Sequence, residues 1–461
     1  KQWDMSGSFS RPTVLLLNPP VYDFAFYDLY VKPYGLLRIG AWLEQAGYDV
    51  VHINALDYTD SLSIERLGAC RRKSEGRGKL FRQPAQLPPG VPPIPRQFSR
   101  YGVLPESLEQ QMRSLESPPD LILVTSGMTY WYLGVREMVR LSRKVFPRVP
   151  VGCGGIYGTL MPDHCLAVCE ADFVTRGPAW PGLLQDLEAR GLPLPAGKPP
   201  LHPLVQDPVW RDSAALRLNE GCPFRCDYCA SSLISPEFEK GRVQEAVDFV
   251  LRLYREKGCR NFAFYDDALL VNWDSVLGPF LETVVRETGG NLNFYNPNAL
   301  HIRYLDAEKL NLMARAGFRE IRMGYESSDD SFQKLSDGKS SLSDFQKAIQ
   351  AIRDSEFPLE HCQVYVLAGL PGQDPGELEH SIRTAAATGV RCRLAQYSPV
   401  PGTGLWEQSI RMSPYPLAEE PLFHNNNFFP LESRELDRNK IDAFRRLGLE
   451  LFQSSLSSET D

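Results

Sequence analysis

The sequence predicts an α/β protein: an open, mostly parallel sheet domain, then a partial (β/α)6 barrel, then a short C-terminal helical region. Three observations carry that expectation. Short apolar runs alternate with segments of helical period in two separate zones, as in parallel strands joined by crossover helices. A proline-rich stretch at 192–211 divides the zones and reads as a linker. With 461 residues, 43% hydrophobic and 23% charged, the chain can fill two or three cores and is too apolar to be disordered.

The first domain is expected over 12–191. Its strands read as Thr13–Leu17, Asp49–Asn54, Leu121–Thr125, Val149–Gly152 and Asp172–Thr175. Helices fall between them at Gly35–Ala46, Leu133–Val145 and Gly182–Arg190, the first stopped by Gly47. A basic, proline-rich insertion at 66–105 interrupts this zone, with nine Lys or Arg against one acid between Arg66 and Arg100. Its prolines forbid a long helix or a central strand. A surface loop is one reading; a clamp for an anionic ligand, using Phe81 and Tyr101, is another.

The second zone, 212–404, predicts six strands: Ala214–Asn219, Asn261–Tyr265, Leu292–Tyr295, Glu320–Met323, Gln363–Leu367 and Arg391–Tyr397. Five helices alternate with them, at Val243–Glu256, Ser275–Glu287, Ala307–Ala316, Leu342–Ser355 and Glu377–Ala387. That is a barrel-like parallel sheet, shorter than eight units. Residues 405–461 begin in turns and end in a helix near Leu436–Phe452, a cap for the barrel or its mouth.

A net charge of −7 argues against nucleic acid held by global charge. No apolar run approaches the roughly 18 residues of a membrane span, and Lys1–Arg11 lacks a signal peptide's apolar core. Ten cysteines are too sparse for a disulfide scaffold, so the expected setting is a reducing cytoplasm.

The strongest chemical signal is Gly221-Cys222-Pro223-Phe224-Arg225-Cys226-Asp227-Tyr228-Cys229. Three thiols, separated by three and then two residues, follow directly on a strand. Soft thiolates select iron–sulfur or zinc over hard cations. A structural zinc site needs four ligands, usually from two paired motifs, and no second pair is present. Three cysteines on a [4Fe–4S] cluster leave one iron open to an outside ligand. Cys165 and Cys169 have helical spacing but apolar neighbours, and read as core.

A CxxxCxxC loop after the first strand of a six-unit barrel resembles the radical S-adenosylmethionine (SAM) superfamily. Asn261–Asp267, Asn296-Pro297-Asn298, Gly324-Tyr325-Glu326-Ser327, Leu370-Pro371-Gly372 and Pro399–Thr403 resemble that family's later strand-end turns. The resemblance implies a [4Fe–4S] cluster on Cys222, Cys226 and Cys229, with SAM held by Tyr228, Asn298, Glu326 and Ser327. It also implies a reductant such as flavodoxin or ferredoxin.

The first zone resembles the Rossmann-like cobalamin-binding domain that precedes the barrel in one large subgroup. The residues that carry it are Asn18, Pro19, Pro20, Tyr34, Gly35, Leu36, Ser126, Gly127, Met128, Thr129, Gly154, Gly155, Ile156, Gly177 and Pro178. Of these, Asn18, Pro19, Tyr34, Gly35, Ser126, Gly127, Thr129, Gly154, Gly155, Ile156 and Gly177 are expected against cobalamin. The DxHxxG sequence that supplies a histidine to cobalt is absent, because His164 follows Asp163 directly. The implied reaction is methyl transfer to an unactivated carbon or phosphinate centre of a small molecule. Alternatives are a radical rearrangement, cyclisation or oxidation, with tRNA methylthiolation and a non-catalytic corrinoid or electron carrier more remote.

Overall fold

A computed structural model describes residues 11–329 and 332–458. The chain divides into two compact units, 1–209 and 210–461.

In the first unit, strands β1 (Thr13–Asn18), β2 (Asp49–Asn54), β3 (Leu121–Val124), β4 (Val151–Cys153) and β5 (Phe173–Val174) form one parallel sheet in the order β2-β1-β3-β4-β5. Val14, Leu16, Leu121, Leu123 and Phe173 pack with Leu36, Trp42 and Leu43 of helix α1 (Tyr34–Gln45). Near-continuous apolar strands are what a sheet covered on both faces requires. Helix α2 (Tyr132–Val145) follows the turn after β3.

The proline-rich segment runs over α1 as a strap. Tyr34, Arg38 and Trp42 recur every fourth residue, so they share one helical face. Their side chains donate to the carbonyls of Leu201, Pro200 and Ala196 at 2.8, 2.6 and 3.0 Å. Tyr48 reaches the Pro193 carbonyl at 2.7 Å, and His52 meets Asp207 at 2.7 Å. Prolines lack an N–H but keep a carbonyl, so a strap of acceptors suits a face of donors.

The insertion is likewise tied down. Its strands Arg82–Pro84 and Ser99–Tyr101 pair antiparallel, the latter also with Val21–Asp23. The strand containing Pro84 lies at the edge of this small sheet, where proline is tolerated. Phe81 and Tyr101, weighed as a ligand clamp, are buried instead. Arg100 pairs with Glu137 at 2.6 Å and Arg72 with Asp28 at 2.7 Å, so these cations serve the fold.

In the second unit β6 (Ala214–Leu216), β7 (Asn261–Phe264) and β8 (Asn293–Tyr295) form one parallel sheet, and β9 (Leu300–His301), β10 (Ile321–Glu326), β11 (Cys362–Ala368) and β12 (Arg391–Gln396) a second. Helices α3 (Val243–Lys257), α4 (Leu277–Thr288), α5 (Ala307–Ala316), α6 (Leu342–Arg353) and α7 (Pro375–Ala386) alternate with them as expected. The expected third strand, Leu292–Tyr295, is present as β8, and a break at 296–299 separates it from β9, a short strand not expected from the sequence. At the break the Asn296 carboxamide stands in for a peptide: its Nδ2 donates to the Arg322 carbonyl at 2.9 Å and to the Asn298 carbonyl at 3.0 Å. Phe264, Phe294 and Phe318 stack at 5.3–5.7 Å and fill the core behind the break. Helix α8 (Arg438–Ser458) packs on α7 and β12.

Candidate active site

The cysteine loop opens at Gly221, where a φ of +76° and the Glu237 carbonyl, which a Cβ would strike, exclude a side chain. The loop is then clasped by the segment after β10. Asp227 N donates to the Leu335 carbonyl at 2.8 Å, Arg225 N to Asp337 at 2.9 Å, and Cys226 Sγ to the Ser336 carbonyl at 3.3 Å. From the other side, Leu405 N donates to the Asp227 carbonyl at 3.0 Å. Cys226 is buried, while Cys222 and Cys229 are half-buried. Burial pushes the Cys222 thiol up to about 11. Burial also raises Cys226, against the pull of the Lys339 ammonium.

Two strand ends set the floor. Asp266, after β7, accepts from Leu218 N at 3.0 Å and Asn219 N at 2.6 Å, locking β7 to the chain after β6. Burial drives its pKa up to about 6, although those bonds pull it down. Its backbone carbonyl accepts from Asn298 Nδ2 at 3.2 Å. The fully buried Asp266 is thus a structural tie, not half of an acid–base pair.

Glu326 ends β10 with φ +68°, uncommon for a residue other than glycine. Its Oε1 accepts from Lys339 Nζ at 2.7 Å. Gly324 makes room for this pair, because a Cβ there would meet Glu326 Oε1 at 2.8 Å. Burial opposes the Lys339 charge, but Glu326 and then the Cys226 and Cys229 thiols outweigh it and hold the lysine pKa above its ordinary value. Tyr228 stacks on Phe332 at 5.8 Å, and its buried hydroxyl has no hydrogen-bond partner. His301 packs edge-on against Phe224 at 5.0 Å, with a buried and unpartnered Nδ1. Burial, then Lys339 and Arg303, push its pKa down to about 3, so it is neutral.

The four residues expected around SAM thus divide. Tyr228 and Glu326 share the environment of Lys339, and Asn298 lies on the β7 turn. Ser327 faces elsewhere: its hydroxyl accepts from Asp329 N at 3.0 Å and meets Ser381 at 3.5 Å. Sequence reasoning missed Lys339 and His301. The Asp337-Gly338 pair signals a turn but not what the turn folds against.

Orphaned polar groups beside three soft thiol donors fit a thiolate-bound group with a polar guest. Among the described residues no group of three or more His, Cys, Asp or Glu side chains is drawn together as a cage for a single metal ion.

In the first unit the expected cobalamin residues sit at the carboxyl ends of the parallel strands. Ser126 Oγ donates to the Gly154 carbonyl at 2.6 Å and accepts from Tyr157 N at 3.0 Å, and Gly155, at φ +84°, lies against it. Asn18 donates to Asn54 at 2.7 Å. Those side chains, with Tyr34 on the strap, bind within the unit. Gly35 and Gly177 border open space, Gly127 lies against Trp131, and Thr129 begins a short turn of helix before α2. The shelf offers close backbone approach, which suits a flat group. His164 bonds the Tyr157 hydroxyl at 2.6 Å.

Comparison with known proteins identifies the class. Residues 216–385 match the Radical SAM superfamily, so the second unit is built on a radical SAM barrel. An uncharacterized methyltransferase of Pyrococcus horikoshii is 22% identical over 329 residues, covering 63% of this chain and 70% of that one. The cytidylyl-2-hydroxyethylphosphonate methyltransferase of Streptomyces wedmorensis is 24% identical over 379 residues, 68% of this chain and 65% of that one. The structure of the radical SAM methyltransferase TsrM from Kitasatospora setae, with cobalamin and a [4Fe–4S] cluster bound, superposes with TM-score 0.64 at 15% identity. It covers 91% of this chain and 82% of that one, and so shares the fold. The second unit thus carries a radical SAM domain, and methyltransferases are among the chain's relatives. Among the described residues no helix is long and apolar enough to cross a membrane.

Proposed function

We propose that the chain is a cobalamin-dependent radical SAM enzyme that reductively cleaves SAM to a 5′-deoxyadenosyl radical and methylates an unactivated carbon or phosphinate centre of a small molecule. The observation that carries this reading is the three-thiol loop clasped at the barrel mouth inside the matched superfamily segment. The fold shared with TsrM, whose structure holds cobalamin and a cluster, and the two methyltransferase relatives support the methyl-transfer half.

When bound, the cluster would supply the electron for sulfonium cleavage and cobalamin the methyl carrier. Within that reading, Cys222, Cys226 and Cys229 hold the cluster. Glu326 accepts from the SAM ribose or amino group, Asn298 donates beside it, Tyr228 packs on the adenine, and Ser327 fixes the turn. The turns at Asn18-Pro19, Tyr34-Gly35, Ser126-Gly127, Thr129, Gly154-Gly155-Ile156 and Gly177 receive cobalamin, with no histidine on cobalt, in a domain over 12–191. The buried, neutral His301 and the aromatic walls exclude water, which would otherwise quench a radical. A flavodoxin- or ferredoxin-type reductant in a cytoplasmic setting completes the assignment.

Single turnover with methyl-labelled SAM under strict anaerobiosis tests it, with two acceptors. One is a cytidylyl phosphonate, as in the name of the Streptomyces relative, and the other is tryptophan, which a second TsrM structure holds as substrate. Label should move to the acceptor with 5′-deoxyadenosine formed. If deoxyadenosine forms while all label stays in SAM or methionine, the reaction is a rearrangement, cyclisation or oxidation.

A further inference from the structure

We propose that Lys339 is the fixed counter-charge of the thiol site: its buried ammonium, held by Glu326, sets the reduction potential of the cluster carried by Cys222, Cys226 and Cys229. This rests on the reading that those thiols hold an iron–sulfur cluster.

Lysine is almost never fully buried without a partner. Here the side chains of Lys339 and Glu326 are only 11% and 7% exposed and lie 2.7 Å apart. The backbone aims the lysine inward through two successive left-handed residues, Asp337 (φ +54°) and Gly338 (φ +62°). Lys339 N donates to the Ser336 carbonyl at 3.0 Å, and Cys226 Sγ donates to the same carbonyl at 3.3 Å. One turn therefore fixes both the cation and the thiol. The ammonium also lies 5.9 Å from the centre of the Tyr228 ring, whose residue precedes Cys229.

The lysine and glutamate alone make a neutral pair. Three thiolates add negative charge to a site in which Cys226 is buried and Cys222 and Cys229 are half-buried. The lysine opposes that cost, because its ammonium lies beside the Tyr228 ring of the cysteine loop and its backbone shares the Ser336 carbonyl with Cys226. A fixed positive charge in a poorly screened site favours the state with one more electron. Lys339 acts on the cluster through space and on Glu326 by contact, so it is a positioning residue.

The test is a redox titration of the full chain, reconstituted anaerobically without SAM and read by electron paramagnetic resonance, for wild type, Lys339→Met, Lys339→Arg and Glu326→Gln. Lys339→Met should titrate at a more negative midpoint than wild type, Lys339→Arg close to wild type, and Glu326→Gln at a more positive one, because its lysine loses its neutralising partner. A Lys339→Met protein that retains no iron while Lys339→Arg loads normally also supports the counter-charge. If Lys339→Met misfolds by circular dichroism, the opposite shift in Glu326→Gln decides. The proposal is overturned by an unmoved midpoint in iron-replete Lys339→Met, by equal shifts in Met and Arg, or by loss of SAM binding at an unmoved midpoint. A wild-type chain that takes up no iron overturns the cluster reading itself.

Discussion

Glu326 shows how much the site depends on single positions. A non-glycine residue at φ +68° persists only where its surroundings over-determine it, and here the ion pair to Lys339 does so. Gly324→Ala would put a methyl group 2.8 Å from the carboxylate. The expected result is iron content like wild type but SAM affinity roughly tenfold weaker or worse. Equilibrium dialysis with labelled SAM checks it, and unchanged affinity would remove Glu326 from the SAM site. Asp266 makes a second, pH-dependent prediction. Its folded pKa of about 6 lies above the ordinary 3.8, so the folded state binds more protons than the unfolded state between those values. Its contribution to stability therefore falls as pH rises from about 4 to 6. Asp266→Asn should abolish that slope and cost about 1–3 kcal/mol, because one of two accepting oxygens becomes a donor facing Leu218 N. Urea unfolding of the metal-free chain at several pH values reads both effects.

At the scale of elements, one carboxamide ties the break between β8 and β9 to the neighbouring β10. Asn296→Ala leaves the Arg322 carbonyl without that donor. The chain should lose about 1–3 kcal/mol in urea, and Asn298, which the same amide orients, should lose its hold on the Asp266 carbonyl. A loss within a few tenths of a kcal/mol would mean that the two sheets do not need the bridge. The alternation of strand and helix was legible because it follows from local apolar period and from turn residues such as Gly47. The three thiols were legible because one short loop holds them all. Lys339 was not, since its importance comes from a left-handed turn folding onto a loop more than a hundred residues earlier. The strap was half legible: its prolines announced an irregular segment, but not that its carbonyls would meet Tyr34, Arg38 and Trp42.

At the scale of the molecule, each unit closes its own core, the first around Trp42 and the second around the Phe264 stack. The residues proposed for cobalamin all belong to the first unit, and those proposed for the cluster and SAM all belong to the second. Loading of the two groups should therefore be separable. Cys226→Ala removes one thiol donor while leaving the clasp's backbone bonds, Asp227 N to Leu335 and Arg225 N to Asp337, available. After anaerobic reconstitution with iron, sulfide and hydroxocobalamin and then gel filtration, this variant should retain little iron and a wild-type share of corrinoid. Both quantities come from one sample, by iron assay and by the corrinoid visible spectrum. Corrinoid lost in step with iron would mean that the carboxyl-end shelf of the first unit does not suffice to hold cobalamin. Corrinoid absent from the wild-type chain as well would return the first unit to a scaffold, leaving the radical chemistry of the barrel to act without a methyl carrier.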